Sequence, residues 1–284
     1  MDWKRIAKRL LPPIALESLN RLQSYKNGTR SGYAWEGIYK HYNEAPQSGP
    51  AFEGDVWLDS RRRNFERQLT AISDRGTSTK FVDEDTLLPF LVSIISAETD
   101  TVRILEFGGG LGESYLDIKS IVDPAIAIDY HVVEMARTCA QGLELFHGDH
   151  GIHFQSELPA RLPAIDVVYV RSALQYVEDY AGLLRQLCAY SPRFVLFVKL
   201  SAGNIPTFAT AQRNLRGSTI PYWFINVRQL IQIMADAGYL LVFKNNLAKE
   251  YDQKNFPEAY RLRHACNMLF ARTTEKLFVR DDEV

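Results

Sequence analysis

The 284-residue sequence predicts an α/β fold: a doubly wound, mostly parallel seven-stranded sheet behind an N-terminal helical and aromatic cap. Three observations predict it. Val102–Ser114 reads as a buried apolar strand that breaks into a glycine turn and resumes as a helix. Short β-branched runs then alternate with amphipathic helical segments as far as residue 245. The last two apolar runs, 239–245 and 267–272, read as an antiparallel pair closing the sheet.

Composition sets the frame. Hydrophobic residues make up 46% and charged residues 24%, the balance of an ordinary globular chain with room for one α/β domain and an added segment. A formal net charge of -1 gives no argument for nucleic acid as a partner. Cys139, Cys188 and Cys266 are few, odd in number and set among apolar residues, which predicts buried free thiols and a reducing, cytoplasmic setting. No apolar run reaches the ~18–20 residues of a membrane-spanning helix.

Residues 1–100 form the predicted cap, and residues 101–284 the sheet domain. Lys4, Arg5, Lys8 and Arg9 alternate with Trp3, Ile6, Leu10 and Leu11 at helical spacing before Pro12 and Pro13 interrupt. Such a basic amphipathic segment suits peripheral contact with the anionic inner face of a membrane. Residues 33–42 are unusually aromatic, and residues 25–60 show little regular period. A helix is expected over 55–73, carrying Trp57, Leu58, Phe65, Leu69 and Ile72, with Arg61, Arg62 and Arg63 on a solvated face or in salt bridges and an acidic-substrate site as the alternative. A second helix over 83–95 leads into the sheet.

The strands follow in order: 102–107, 128–134, 151–154, 165–170 and 193–199, with helices at 113–121, 135–145 and 226–237. Gly238 stops the last of these. Ligands of such sheets bind outside the carboxyl ends of the strands. The glycine turn there reads Glu106-x-Gly108-x-Gly110-x-Gly112, with Gly109 between; a dinucleotide fingerprint would need glycine where Glu113 stands. Glu106 and Glu113 are poor neighbours for a pyrophosphate and suit a ligand carrying positive charge. The turn resembles the first motif of the methyltransferases that use S-adenosyl-L-methionine (SAM), whose ligand bears a sulfonium and an ammonium. Glu134, about 20 residues further on at a strand end, is placed to accept the ribose hydroxyls. Gln155-Ser156 follow the strand 151–154 at its carboxyl end, where an adenine would lie. His147, Asp149, His150 and His153 have metal-like spacing, but they lead into a strand at its amino edge, so no metal is expected.

Further motifs extend the likeness over about 33–272. Trp35-Glu36-Gly37-Ile38-Tyr39, Leu105–Gly112 with Ser114-Tyr115, His131-Val132-Val133-Glu134, His153-Phe154, Ser172-Ala173-Leu174-Gln175-Tyr176, Gln212 and Pro221-Tyr222-Trp223-Phe224 resemble a family of SAM-dependent methyltransferases found among surface-polysaccharide biosynthesis proteins. Lys199-Leu200 departs from the Arg-Thr that family often carries there. The resemblance implies a Rossmann-like, class I methyltransferase domain, SAM as cofactor, and a small-molecule or glycan acceptor methylated on a hydroxyl. The cofactor residues are then Glu106, Gly108, Gly109, Gly110, Gly112, Glu134, Phe154, Gln155, Arg171 and Ser172. By position, Tyr115, Ser172, Gln175 and Tyr176 are the catalytic candidates, with Arg171 and Lys199 beside them. None is an obvious base; Glu36 and His41 of the cap are distant alternatives. Trp35, Tyr39, Tyr222 and Trp223 offer either an aromatic platform for a sugar or ordinary core packing. Two rival readings share the sheet: a SAM-binding assembly factor without catalysis, and an NAD(P)-dependent sugar-modifying enzyme.

Overall fold

A computed structural model describes residues 33–73, 86–214 and 217–274. The basic amphipathic segment at 3–11 lies outside them, as does the start of the helix expected from residue 83. Two sheets organise the described chain. The larger has seven strands in the order β10-β11-β6-β5-β2-β3-β4. These are β2 (Thr101–Phe107), β3 (Ala127–Val133), β4 (Ile152–Gln155), β5 (Val167–Arg171), β6 (Phe194–Leu200), β10 (Tyr239–Glu250) and β11 (His264–Arg272). Neighbours from β4 to β6 pair in parallel, and β11 runs antiparallel to both β6 and β10. This is the doubly wound, mostly parallel architecture the sequence predicts.

The central strands are apolar on both faces because helices cover both. On one face, α2 (Leu87–Ile95) and α3 (Glu113–Ile121) bury Leu88, Leu91, Val92, Ile95, Tyr115 and Ile118 against Ile104, Tyr130, Val132, Val167 and Tyr169. Cys139 of α4 (Ala136–Leu145) joins this core. On the other face, α5 (Tyr180–Ala189) and α6 (Val227–Asp236) bring Leu183, Leu184, Leu187, Leu230 and Met234 onto Leu105, Val168, Val170 and Phe197. All three cysteines are free and buried. Among the described residues, no helix is long and apolar enough to cross a membrane.

The second sheet is where the structure departs from expectation. β1 (Trp35–Tyr39), β8 (Phe208–Asn214), β9 (Ser218–Asn226) and the short β7 (Ala202–Gly203) order as β1-β8-β9-β7. The segment before residue 100 is therefore not purely helical: its first described element is an edge strand paired antiparallel with β8. β9 hides from period-2 reading because it is buried on both faces. Trp223 and Ile225 enter the core beneath the main sheet, whereas Tyr222 and Phe224 enter a separate aromatic cluster with Trp35, Phe208, Phe256 and Leu262. Pro221 also argues against a strand on sequence grounds. The helix expected over 55–73 is present as α1 (Asp55–Ser73); Leu58 and Phe65 are buried, but Leu69 stays exposed.

Phe224 is fully buried and packs against five aromatic rings, those of Trp35, Phe208, Tyr222, Tyr251 and Phe256. Phe224→Ala should destabilise the chain by about 3–5 kcal/mol, read as a lower midpoint in urea denaturation. A change under ~1 kcal/mol would mean the second sheet is not integral to the fold.

Candidate active site

The strand order reverses at β2, with β3 on one side and β5 on the other. At that crevice the carboxyl ends of β2, β3, β5 and β6 open into a cavity of about 580 Å³, within the range of small-ligand sites. Its wall includes Glu106, Gly108, Gly109, Gly110, Glu134, Arg171, Ser172 and Tyr176 from the sequence-derived set. Glu113, Ser114, Ser156 and Lys199 also line it, as do Phe52, Trp57 and Arg61 from the segment before the sheet.

Glu106 is the chemically distinctive group. It is 1% exposed, with Ser114 Oγ donating to Oε1 at 3.0 Å and Tyr130 Oη donating to Oε2 at 2.8 Å. Burial raises its pKa from 4.5 to about 8, the two hydrogen bonds opposing and Glu113 adding repulsion. The glycines make this placement sterically feasible. A Cβ on Gly109 would collide with the Glu106 carboxylate. Gly108 and Gly110 have φ of +73° and +60°, where side chains are strained, and a Cβ on Gly110 would strike Arg61 and Glu113. Gly112, at φ +88°, packs instead against Ile152, Phe146 and Phe154 as the cap of α3 and does not line the cavity.

Glu134 bridges the turn to β3. Its Oε1 accepts from the Gly110 amide at 3.2 Å and its Oε2 from the Met135 amide at 2.7 Å. Burial raises its pKa, with both amide bonds opposing. Glu113 Oε2 accepts from the Leu111 amide at 3.0 Å, and Glu113 Oε1 lies 2.7 Å from Arg61 Nη2. Arg61 also lies 5.7 Å from the Trp57 ring. Gln68, two turns on, donates to the Glu113 carbonyl and to Asp117 Oδ1. Helix α1 is thus tied to the glycine turn and α3 by polar contacts. The arginine run read as a solvated face or salt bridges, and Arg61 does form a salt bridge; nothing local marks which of the three arginines turns inward.

The opposite wall carries backbone strain. Ser172 and Lys199, at the ends of β5 and β6, have φ of +53° and +56° without being glycine. Such positions cluster at functional sites. Tyr176 donates to Gln212 Oε1 at 2.7 Å, and burial pushes its phenol well above the ordinary value, so it is a neutral donor and no proton acceptor.

Four expected site residues do not face the cavity, besides Gly112. Tyr115 packs in the helix-side core and its hydroxyl donates to Asp149. Phe154 is core, against Gly142 and Phe146. Gln155 points to the other sheet face, 3.1 Å from His131 Nδ1, because side chains alternate along β4; Ser156 takes the wall position. Gln175 is buried and reaches the Lys199 carbonyl at 3.5 Å. The aromatic platform is also different: Trp35, Tyr222 and Trp223 are core, and Tyr39 is not on the wall, where Phe52, Trp57 and Tyr176 stand. Glu36 pairs with Arg213, and His41 is exposed outside the cavity.

No family model and no curated protein matches the sequence. Solved structures do resemble it. One is Burkholderia thailandensis 1,6-didemethyltoxoflavin-N1-methyltransferase with bound 1,6-didemethyltoxoflavin and S-adenosylhomocysteine, at 13% identity and TM-score 0.47 over 81% of this chain and 92% of that one. Another is magnesium protoporphyrin IX methyltransferase from Synechocystis with bound S-adenosylhomocysteine, at 11% and 0.43 over 76% and 98%. A SAM-dependent methyltransferase from Mesorhizobium loti matches at 14% and 0.44 over 61% and 91%. The seven-stranded sheet with its antiparallel β11 has the doubly wound, mostly parallel arrangement anticipated from the sequence.

Glu106 holds its proton to about pH 8 when folded and to about 4.5 when unfolded. Stability from this group is therefore greatest below pH 4.5, falls through the window between, and levels off above 8. Glu106→Gln, which cannot ionise, should match the wild type near pH 5 and exceed it near pH 9 in urea denaturation. Equal or lower stability at the higher pH would contradict the buried, proton-holding carboxylate.

Proposed function

We propose that the chain is a SAM-dependent methyltransferase acting on a hydroxyl of a sugar or glycan-related small molecule. The observation that carries the cofactor assignment is the acidic glycine cradle: Glu106, Glu113 and Glu134 converge where a dinucleotide enzyme would present amides to a pyrophosphate. The residues present fit SAM. Glu106 supplies a counter-charge for the ammonium, Glu134 acceptors for the ribose hydroxyls, and Gly108, Gly109 and Gly110 a backbone that approaches closely. Ser156 and Met135 line the adenine side, and Arg171 the methionine side. When bound, SAM supplies an electrophilic methyl group on its sulfonium.

The chain's own part is positioning and exclusion of water. Phe52, Trp57 and Arg61 line the cavity, which supports reading the segment before residue 100 as a cap on a sheet domain beginning at 101. Ser172 and Lys199 hold strained backbone at the acceptor end, and Tyr176 donates rather than accepts protons there. Tyr115 and Gln175 drop out of the catalytic set because they do not face the cavity. The aromatic faces of Phe52, Trp57 and Tyr176 suit the apolar face of a sugar, and the resemblance to polysaccharide-linked methyltransferases supports the same acceptor class. The basic segment at 3–11 adds peripheral contact with an anionic membrane surface in the cytoplasm.

Calorimetry should show SAM and S-adenosylhomocysteine binding and no binding of NAD(P)H. Glu134→Gln should weaken SAM by ~10–100-fold, the loss of a charged hydrogen bond. Gly110→Leu should abolish binding while circular dichroism stays that of the folded chain. Unchanged affinity in either variant, or NAD(P)H bound in place of SAM, would overturn the assignment. Methyl transfer to sugar hydroxyls, scanned with a panel of nucleotide sugars and lipid-linked glycans, tests the acceptor class; transfer to amines alone would contradict it.

A further inference from the structure

Further down β3 and β4 from the cavity wall, and outside that wall, three metal-ligating side chains meet. Asp129 and His131 are two apart on β3 and so share a face of the sheet. His131 and His153 are direct partners across the parallel β3–β4 pair. Their rings stack at 4.8 Å with 25° between planes. Both imidazoles converge on one oxygen: His131 Nε2 lies 3.0 Å and His153 Nε2 3.4 Å from Asp129 Oδ1. One ligand atom from each of the three residues lies within 4.8 Å of the others. This trio is not the one its spacing suggested, because Asp149 is used by the Tyr115 hydroxyl and the Gly151 amide.

The surroundings fit a cation better than a simple hydrogen-bonded pair. His131 is 8% exposed, and despite the 3.0 Å approach its Nε2 has no aligned hydrogen bond. A buried polar atom in that state needs a partner. Arg103 Nε stands 3.4 Å from the other carboxylate oxygen, Oδ2, leaving Oδ1 to the imidazoles. Gln155 Nε2 is 3.1 Å from His131 Nδ1 and so fixes the ring from behind. On metal binding this amide would turn over, its oxygen accepting from Nδ1–H and leaving the Nε2 lone pair toward Asp129 and His153, the usual role of an outer-shell amide or carbonyl.

We propose that Asp129, His131 and His153 bind a divalent metal of the zinc class, with two imidazoles and one carboxylate as ligands. His153, at 45% side-chain exposure, leaves the remaining coordination positions toward solvent. The ion would fasten β4, the four-residue edge strand, to β3. This site is independent of methyl transfer and of SAM.

The test uses the untagged full-length chain. Zinc titration by calorimetry should give one ion per chain, and cobalt(II) should give the visible absorption of a low-coordinate nitrogen–oxygen site. His153→Ala removes a half-exposed side chain without disturbing the core, and should weaken zinc by at least ~10–100-fold. Asp129→Asn should do likewise, and zinc should raise the melting temperature of the wild type but not of either variant. A His147→Ala, His150→Ala double variant should bind as the wild type does. Binding no tighter than about millimolar in the wild type would overturn the proposal. So would zinc affinity unaffected by His153→Ala, or lost in the His147, His150 double variant.

Discussion

A carboxylate that is almost wholly buried at the end of the central strand constrains everything near it. Glu106 needs both oxygens satisfied, and the fold supplies Ser114 from the first turn of α3 and Tyr130 from the adjacent strand. It needs room, and Gly109 gives it by lacking a Cβ. The turn must then reverse sharply enough to start α3 directly above, and Gly108 and Gly110 take the left-handed conformations that permit this. Desolvation keeps the acid protonated to about pH 8. A group with this environment is costly to keep for structure alone, and it sits where a ligand's cation would discharge its proton.

The second constraint is the segment before the sheet. The segment before the sheet reaches the same turn through Arg61, which pairs with Glu113, and through Gln68, which grips α3. Its aromatic residues meet the far wall: Phe52 packs edge-on against Tyr176 at 4.8 Å, and the Tyr42 hydroxyl donates to the Tyr176 and Pro221 carbonyls. The second sheet, carrying Gln212 as the acceptor of the Tyr176 hydroxyl, holds that wall in place. Helix α1, the glycine turn and the second sheet are therefore linked through a short series of hydrogen bonds, ion pairs and ring contacts around one cavity.

The main sheet was legible because its central strands are mostly apolar and its turns are marked by glycine and acidic residues. Glu106 and Glu134 were found by their positions relative to that turn, and both line the cavity. The failures have physical causes. Gln155 and Phe154 were assigned by strand number without regard to the side-chain alternation that sends them to opposite faces. Tyr115 was assigned by closeness to the glycines, although the helix turns it into the core, where Ile118 also lies. β8 and β9 carry no period-2 pattern because both faces of β9 are buried. The convergence of Asp129, His131 and His153 depends on the register between β3 and β4, which no local spacing reveals.

The central claim is that Glu106 meets a cation with its carboxylate. It is tested most directly by calorimetric titration of S-adenosylhomocysteine near pH 7, repeated in buffers of different ionisation enthalpy. The account predicts that binding releases protons from the wild type and that Glu106→Gln both binds more weakly and loses that release. Tight binding with the same proton balance in wild type and Glu106→Gln would contradict it, because the buried carboxylate would then play no part in holding the ligand.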